Sequence, residues 1–286
     1  MIMNTPSLDE LLSRMPKSLG SYAPVLDEIE AVLQSPQCSL ASVGEAIEKD
    51  PDLTARLLML GNSAFYGFAT RLSTVAEAVS LIGIQQVQDL IMASSIIDQF
   101  AGMSPEFINM ESFWRHSLAC GTGARLLALE KRLPKADKFF VAGLLHDVGR
   151  LVLFLQAPAA AQRVFETYQA DHRSLQESEQ SVLGYDHQAI AAALLQRWSY
   201  PDVLVQAVGC HHTPEMITAG RMESAVVHFA DYLVHAMQIG SSGERHIPAL
   251  HPRAWETLGL TESSLEALMS AVDEQMEAVE EVFLAN

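Results

Sequence analysis

The sequence predicts an all-α fold. Apolar residues recur at three-and-four spacing through most of the chain. Helix start and stop signals flank those runs. No convincing alternating strand and no Asn-Gly or Asp-Gly hairpin turn interrupts them.

Each element follows from a local pattern. In "PVLDEIEAVLQ", Val25, Leu26, Ile29, Val32 and Leu33 share one helix face. "EKDPDLTARLLML" offers Asp50 as an N-cap and Pro51 at the first helical position, where a missing N–H costs nothing. Thr74 and Glu77 form a capping box in "STVAEAVSLIG", and Gly83 supplies a left-handed stop. Gly102 and Pro105, in "AGMSPEFINM", interrupt the pattern. Longer helices follow from "ESFWRHSLACGTGARLLALE", and they carry most of the histidines. "QIGSSGERHIPALHP" is a loose segment before a final helix that starts at about Thr261. These breaks divide the chain into an N-terminal extension (1–20), an N-terminal helical subdomain (21–104), a second helical subdomain (105–240) and a loop with a C-terminal amphipathic helix (241–286).

Two segments allow two readings each. The final helix has an apolar seam of Leu265, Met269, Val272, Met276, Val279 and Phe283, with acidic residues on its other faces. The seam either lies on its own domain or forms a coiled-coil-like surface for a partner, including a second copy. In "LLMLGNSAFYG", Asn62 and Ser63 follow a helix, and Phe65 and Tyr66 follow them. This is either a helix C-cap with core aromatics or a docking surface.

Composition narrows the function classes. The 286 residues carry 18 basic against 35 acidic side chains, a formal charge of −17, and 49% are hydrophobic. Such a chain builds a sizeable core. Its field repels nucleic acid and anionic membranes, so neither is an expected partner. A local cluster of cations can still hold a small anion. The three cysteines, Cys38, Cys120 and Cys210, form no CxxC pair and suit a reducing cytoplasm. The start, "MIMNTPSLDELLSRM", has acids where a signal peptide would be apolar. The longest apolar run, "VAGLLHDVGRLVLFL", is broken by His, Asp and Arg, short of an uninterrupted membrane span.

That run contains the candidate chemistry. "GLLHDVGRL" places His146 and Asp147 among apolar neighbours, where burying both is costly without partners. They read as metal ligands, as a hydrogen-bonded structural pair or as the remains of an active site. Imidazole and carboxylate together suit Fe, Mn, Ni or Zn, and paired ions clamp an attacking hydroxide and a phosphate. Further candidates are spread over several helices: His116 in "FWRHSLACGTGARLL", His187 in "GYDHQAIAAALL", His211 and His212 in "VGCHHTPEM", and Asp231 in "VVHFADYLVH".

The order His116, His146-Asp147, Asp231 resembles the metal quartet of the HD phosphohydrolase superfamily. The wider pattern is similar to the HDOD domain, the HD-related output domain of bacterial signalling proteins. Its motifs run through "LTARLLMLGNSAFYG", "VAEAVSLIGIQQVQDLIM", "FWRHSLA", "AGLLHDVGRLVL", "VLGYDHQAIAAALLQRWSYP", "AVGCHHTPE" and "VVHFADYL", from about Pro24 to Val234. The resemblance implies an N-terminal helical subdomain packed on an HD-like one, and a regulatory module acting through protein partners. It implies metal ligands at His116, His146, Asp147 and Asp231. The related HD-GYP phosphodiesterases have further ligands at positions matching His187, His211 and His212.

Three departures set the chain apart from the enzymes. The Lys common after HD-x-G is Arg150, a planar fork rather than a compact ammonium. "HHTPEMITAG" lacks the Glu and Gly-Tyr-Pro run of HD-GYP proteins, and Gly184-Tyr185 precedes His187 and lacks the Pro. Ser112 stands where a carboxylate is expected four residues before His116, although Glu111 is adjacent. The sequence therefore leans to a non-catalytic signalling module. The alternative is a metal-dependent phosphohydrolase of nucleotides or cyclic dinucleotides, with Asp147 holding metal and Arg150 contacting phosphate.

Overall fold

The computed structural model describes residues 5–15, 24–100, 103, 105–171, 173–213 and 221–284. Gly102 and the "PEMITAG" part of the paired-histidine segment lie outside them. All regular structure among the described residues is helical. The chain divides into two compact units, one of residues 1–17 with 103–270, the other of residues 18–102 with 271–286.

The smaller unit contains α2 (Pro24–Leu33), α3 (Leu40–Ile47), α4 (Pro51–Gly61), α5 (Val75–Ile82) and α6 (Ile84–Phe100). Its helix ends follow the capping chemistry that the sequence predicts. Asp50 accepts hydrogen bonds from the Asp52 and Leu53 N–H groups, both at 3.1 Å. Thr74 and Glu77 cap each other's backbone, and Gly83 ends α5 at φ +102°. Asn62 is the C-cap of α4, and its amide holds both the N–H and the C=O of Leu72. Phe65 is buried, so this stretch is a helix end with a core aromatic.

Helix α16 (Glu262–Leu284) contributes its downstream half to the smaller unit. Its seam residues Val272, Met276, Val279 and Phe283 are buried within the chain itself. Val282 and Phe283 line one apolar crevice with Leu57, Leu60, Leu90 and Ile91. The seam thus lies on its own fold.

The larger unit positions the site. It holds α1 (Leu8–Ser13), α7 (Met110–Glu130), α8 (Asp137–Leu145), α9 (Val148–Gln156), α10 (Pro158–Asp171), α11 (Leu175–Leu183), α12 (His187–Arg197), α13 (Asp202–Gly209), α14 (Arg221–Met237) and α15 (Pro252–Leu258). Helix α1 buries Leu11 and Leu12, and the Tyr185 hydroxyl donates to the Pro6 carbonyl. Helix α7 packs along α8 and α14, and α9 packs on α12. Glycine makes these approaches close. A Cβ on Gly143 would sit 2.5 Å from the Cys120 carbonyl oxygen, and one on Gly149 would sit 2.1 Å from the His187 carbonyl oxygen.

The run Asp137–Gln156 is long and apolar enough for a membrane span by composition, yet 89% of its apolar 18-residue window is buried inside the protein. It is also two helices. His146 closes α8 and Asp147 precedes α9, so the doublet sits at a joint rather than on one helix face. The joint lets adjacent side chains turn into one space.

Candidate metal centre

The structure brings together all seven candidates, His116, His146, Asp147, His187, His211, His212 and Asp231. His116 projects from α7, Asp231 from α14 and His187 from the first position of α12. His211 and His212 follow α13. His116, His146, Asp147, His187, His211 and Asp231 are all at most 2% exposed.

Two overlapping groups share Asp147. On one side, His116 Nε2 lies 3.3 Å from Asp231 Oδ1, and His146 Nε2 lies 3.5 Å from the same oxygen and 3.3 Å from Asp147 Oδ2. On the other, Asp147 Oδ1 lies 3.1 Å from His187 Nε2 and 4.0 Å from His211 Nε2. One ligand-type atom from each of His187, His211 and His212 falls within 4.8 Å of the others.

Hydrogen bonds behind the rings fix which nitrogen faces inward. His146 Nδ1 is 2.6 Å from the Gly143 carbonyl, His211 Nδ1 is 2.7 Å from the Val208 carbonyl, and His187 Nδ1 is 2.5 Å from Glu179 Oε2. These acceptors take the ring proton at Nδ1, which leaves a lone pair on each Nε2. His187 Nε2 and His211 Nε2 then face each other at 3.3 Å, beside Asp147 Oδ1. Lone pairs set so closely need a cation among them. His146 Nε2, Asp147 Oδ1, Asp231 Oδ1 and His212 Nε2 have no hydrogen-bond partner among the described residues, although all are buried atoms. Neutral imidazoles, carboxylates and orphaned buried donors fit a divalent ion. The cluster can hold metal.

The electrostatics agree. Burial pushes His116 down to about 4 and His211 down to about 3, which keeps both neutral and ready to ligate. Burial also lowers His212, with His211 and His187 adding to it. His146 goes the other way. Burial opposes its charge, but Asp147 and Asp231 outweigh burial and raise it to about 10. Without a metal, a proton on His146 supplies the missing cation. Burial resists charge on Asp147 too, yet Arg150, His146 and His187 hold its carboxyl well below the ordinary range.

Arg150 is 2% exposed, and its Nε and Nη1 are engaged. Its Nη1 donates to Asp147 Oδ2 at 2.7 Å and to Ser242 Oγ at 2.6 Å, and its Nε donates to Glu179 Oε1 at 3.2 Å. Glu179 also accepts the His187 backbone N–H at 2.8 Å, so one buried carboxylate orients both Arg150 and His187.

Ser242 comes from a loop that Glu244 fastens. Glu244 accepts from the Tyr168 hydroxyl (2.6 Å) and from the backbone N–H groups of Leu175 (2.6 Å), Arg245 (2.9 Å) and His246 (3.0 Å). Burial resists its charge, but Tyr168 and these N–H groups win and lower its pKa below the ordinary 4.5. A lowered folded pKa means that the stabilisation is present above the unfolded value and is lost as pH falls through the folded one. Glu244→Gln is expected to cost about 1.5–3 kcal/mol at neutral pH, with the difference from wild type shrinking at an acid pH below the ordinary 4.5. Urea denaturation at both pH values checks this.

Several participants escape sequence reading. Cys120 lies one turn after His116, and His235 lies one turn after Asp231. His235 Nδ1 is 2.9 Å from Asp231 Oδ1, and Cys120 Sγ is 3.6 Å from His116 Nε2. The i, i+4 spacing from a candidate ligand was the available signal. Glu179 and Ser242 had none, because their partner Arg150 is distant in sequence. By contrast, His228 Nδ1 donates to the His211 carbonyl at 2.7 Å and its Nε2 accepts the His251 N–H at 2.9 Å, so it braces the loops.

A cleft of about 380 Å³ adjoins the centre. Arg150, His212, Asp231 and His235 line it, with Arg173 and His246.

Residues 19–214 match the HDOD domain model. The chain belongs to the HDOD family. An HDOD domain protein of unknown function from Geobacter sulfurreducens is 25% identical, with a TM-score of 0.75 over 97% of this chain and 98% of that one. A candidate phosphohydrolase from Shewanella amazonensis SB2B is 23% identical, with a TM-score of 0.73 over 98% and 99%. This second likeness shows the shared fold. An uncharacterized protein of Treponema pallidum (strain Nichols) is 28% identical over 190 residues, which are 65% of this HDOD chain. The match spans 36% of that relative's length.

Proposed function

We propose that this HDOD chain is a regulatory module of bacterial signal transduction that acts through protein partners in the cytoplasm. Its buried His/Asp centre holds a divalent transition ion as a structural or ligand-sensing element rather than for turnover. The observation that carries this reading is the state of Arg150. A phosphate-binding guanidinium presents a fork of free N–H groups to substrate, whereas Arg150 gives its Nε and Nη1 donors to Glu179, Asp147 and Ser242 and keeps only Nη2 for any ligand in the cleft. An ion held without productive substrate contacts supplies folding energy or ligand affinity instead of transition-state stabilisation.

The cleft favours a second reading. Its volume, about 380 Å³, suits a small ligand, and its wall reaches Asp231 and His212. Under that reading the chain is a metal-dependent phosphohydrolase of a nucleotide or cyclic dinucleotide. One experiment separates the two. The protein is purified without chelator, its Fe, Mn, Ni and Zn are measured, and cyclic dinucleotides and nucleotides are assayed anaerobically. The expected result is bound metal without turnover. Turnover that disappears in Asp147→Ala would overturn the regulatory reading.

A further inference from the structure

We propose that Cys120 is a thiolate ligand of the ion held by His116, His146 and Asp231, which makes this half of the centre selective for a borderline-soft ion such as zinc. The inference deepens the proposed metal centre and rests on it.

Geometry carries the argument. His116 and Cys120 are one turn apart on α7, both fully buried, and present Nε2 and Sγ to the same space as His146 and Asp231. Zinc bonds to nitrogen and oxygen at about 2.1 Å and to thiolate at about 2.3 Å, so a tetrahedral ion spaces N–O donor pairs roughly 3.4 Å and N–S pairs roughly 3.6 Å apart. The observed separations are 3.3 Å for His116 Nε2 to Asp231 Oδ1, 3.5 Å for His146 Nε2 to Asp231 Oδ1, and 3.6 Å for His116 Nε2 to Cys120 Sγ. His146 Nε2 and Asp231 Oδ1 are among the buried atoms without a hydrogen-bond partner among the described residues, and they point to an ion independently of the cysteine.

Soft thiolate changes which ion wins. Oxygen and nitrogen donors alone accommodate Mn or Mg, whereas an added thiolate favours Zn and Co over both. Ligation exchanges the S–H bond for a sulfur–metal bond and releases the proton to solvent.

Cobalt(II) spectroscopy tests the assignment without reference to activity. The chain has three cysteines, so the double variant Cys38→Ser, Cys210→Ser leaves Cys120 as the sole thiol. This variant and the wild type are titrated with Co²⁺. The expected result is a near-ultraviolet thiolate-to-cobalt charge-transfer band that rises with the visible cobalt bands in both proteins. Cys120→Ser in the wild-type chain should abolish it and weaken cobalt binding about tenfold or more. Bound cobalt without that band in the wild type overturns the thiolate ligand and leaves the metal centre standing. Failure of the wild type to bind cobalt overturns both. Circular dichroism of each variant separates ligand loss from unfolding.

Discussion

Gly149→Ala is expected to destabilise the fold by at least about 3 kcal/mol. The added methyl would meet the His187 carbonyl oxygen at 2.1 Å and the Ala191 nitrogen at 2.9 Å. Both are helix backbone, so no flexible side chain can swing away. Relief requires α9 and α12 to separate, and those helices carry Arg150 and His187. The contact between His187 Nε2 and Asp147 Oδ1, now 3.1 Å, would lengthen with them. Gly184→Ala is the control. Gly184 has φ +82°, and a methyl added there would meet nothing within 4 Å, so it should cost only about 1 kcal/mol of backbone strain. Urea denaturation of the two variants decides the matter. Equal costs would show that α9 and α12 tolerate separation.

The Gly149 contact also marks how far the sequence could be read. The helices were legible because apolar spacing and caps are local, and Asp50, Thr74 and Gly83 act where the pattern places them. The ligand candidates were legible as an ordered set, since the seven converge. Three features were not. Two helices meet at the His146–Asp147 joint, yet the apolar pattern runs through it without a break. Glu179 sits in "QESEQ", which reads as a solvated helix face, but it is fully buried because Arg150 and His187 supply its partners from other helices. The close approach at Gly149 depends on a helix that arrives nearly 40 residues later. Partners distant in sequence leave no periodic trace.

Asp147→Ala should be the most damaging change at the centre, because it takes from Arg150 the closer of its two carboxylates and leaves it only Glu179. In the absence of metal it is expected to cost about 3 kcal/mol, the low end of the penalty for breaking a buried ion pair, because Glu179 still faces the guanidinium. The loss does not measure the worth of the ion pair. Both groups are at most 2% exposed, so much of their attraction offsets the cost of taking them from water. The pair of variants Asp147→Ala and Asp147→Ala with Arg150→Met exposes the difference. The methionine removes the under-compensated charge while keeping apolar bulk, so the double variant should recover at least about 1 kcal/mol over the single one. Glu179 keeps the His187 ring and backbone as partners after Arg150 has gone, which limits the new cost. Chemical denaturation in chelator gives both values. Metal uptake should separate from stability across the same pair, because the double variant regains folding energy but still lacks the carboxylate shared by the two halves of the centre. A double variant no more stable than Asp147→Ala would mean that Arg150 stays satisfied by Glu179 and Ser242 alone. The guanidinium would then not be the constraint that holds Asp147 in place.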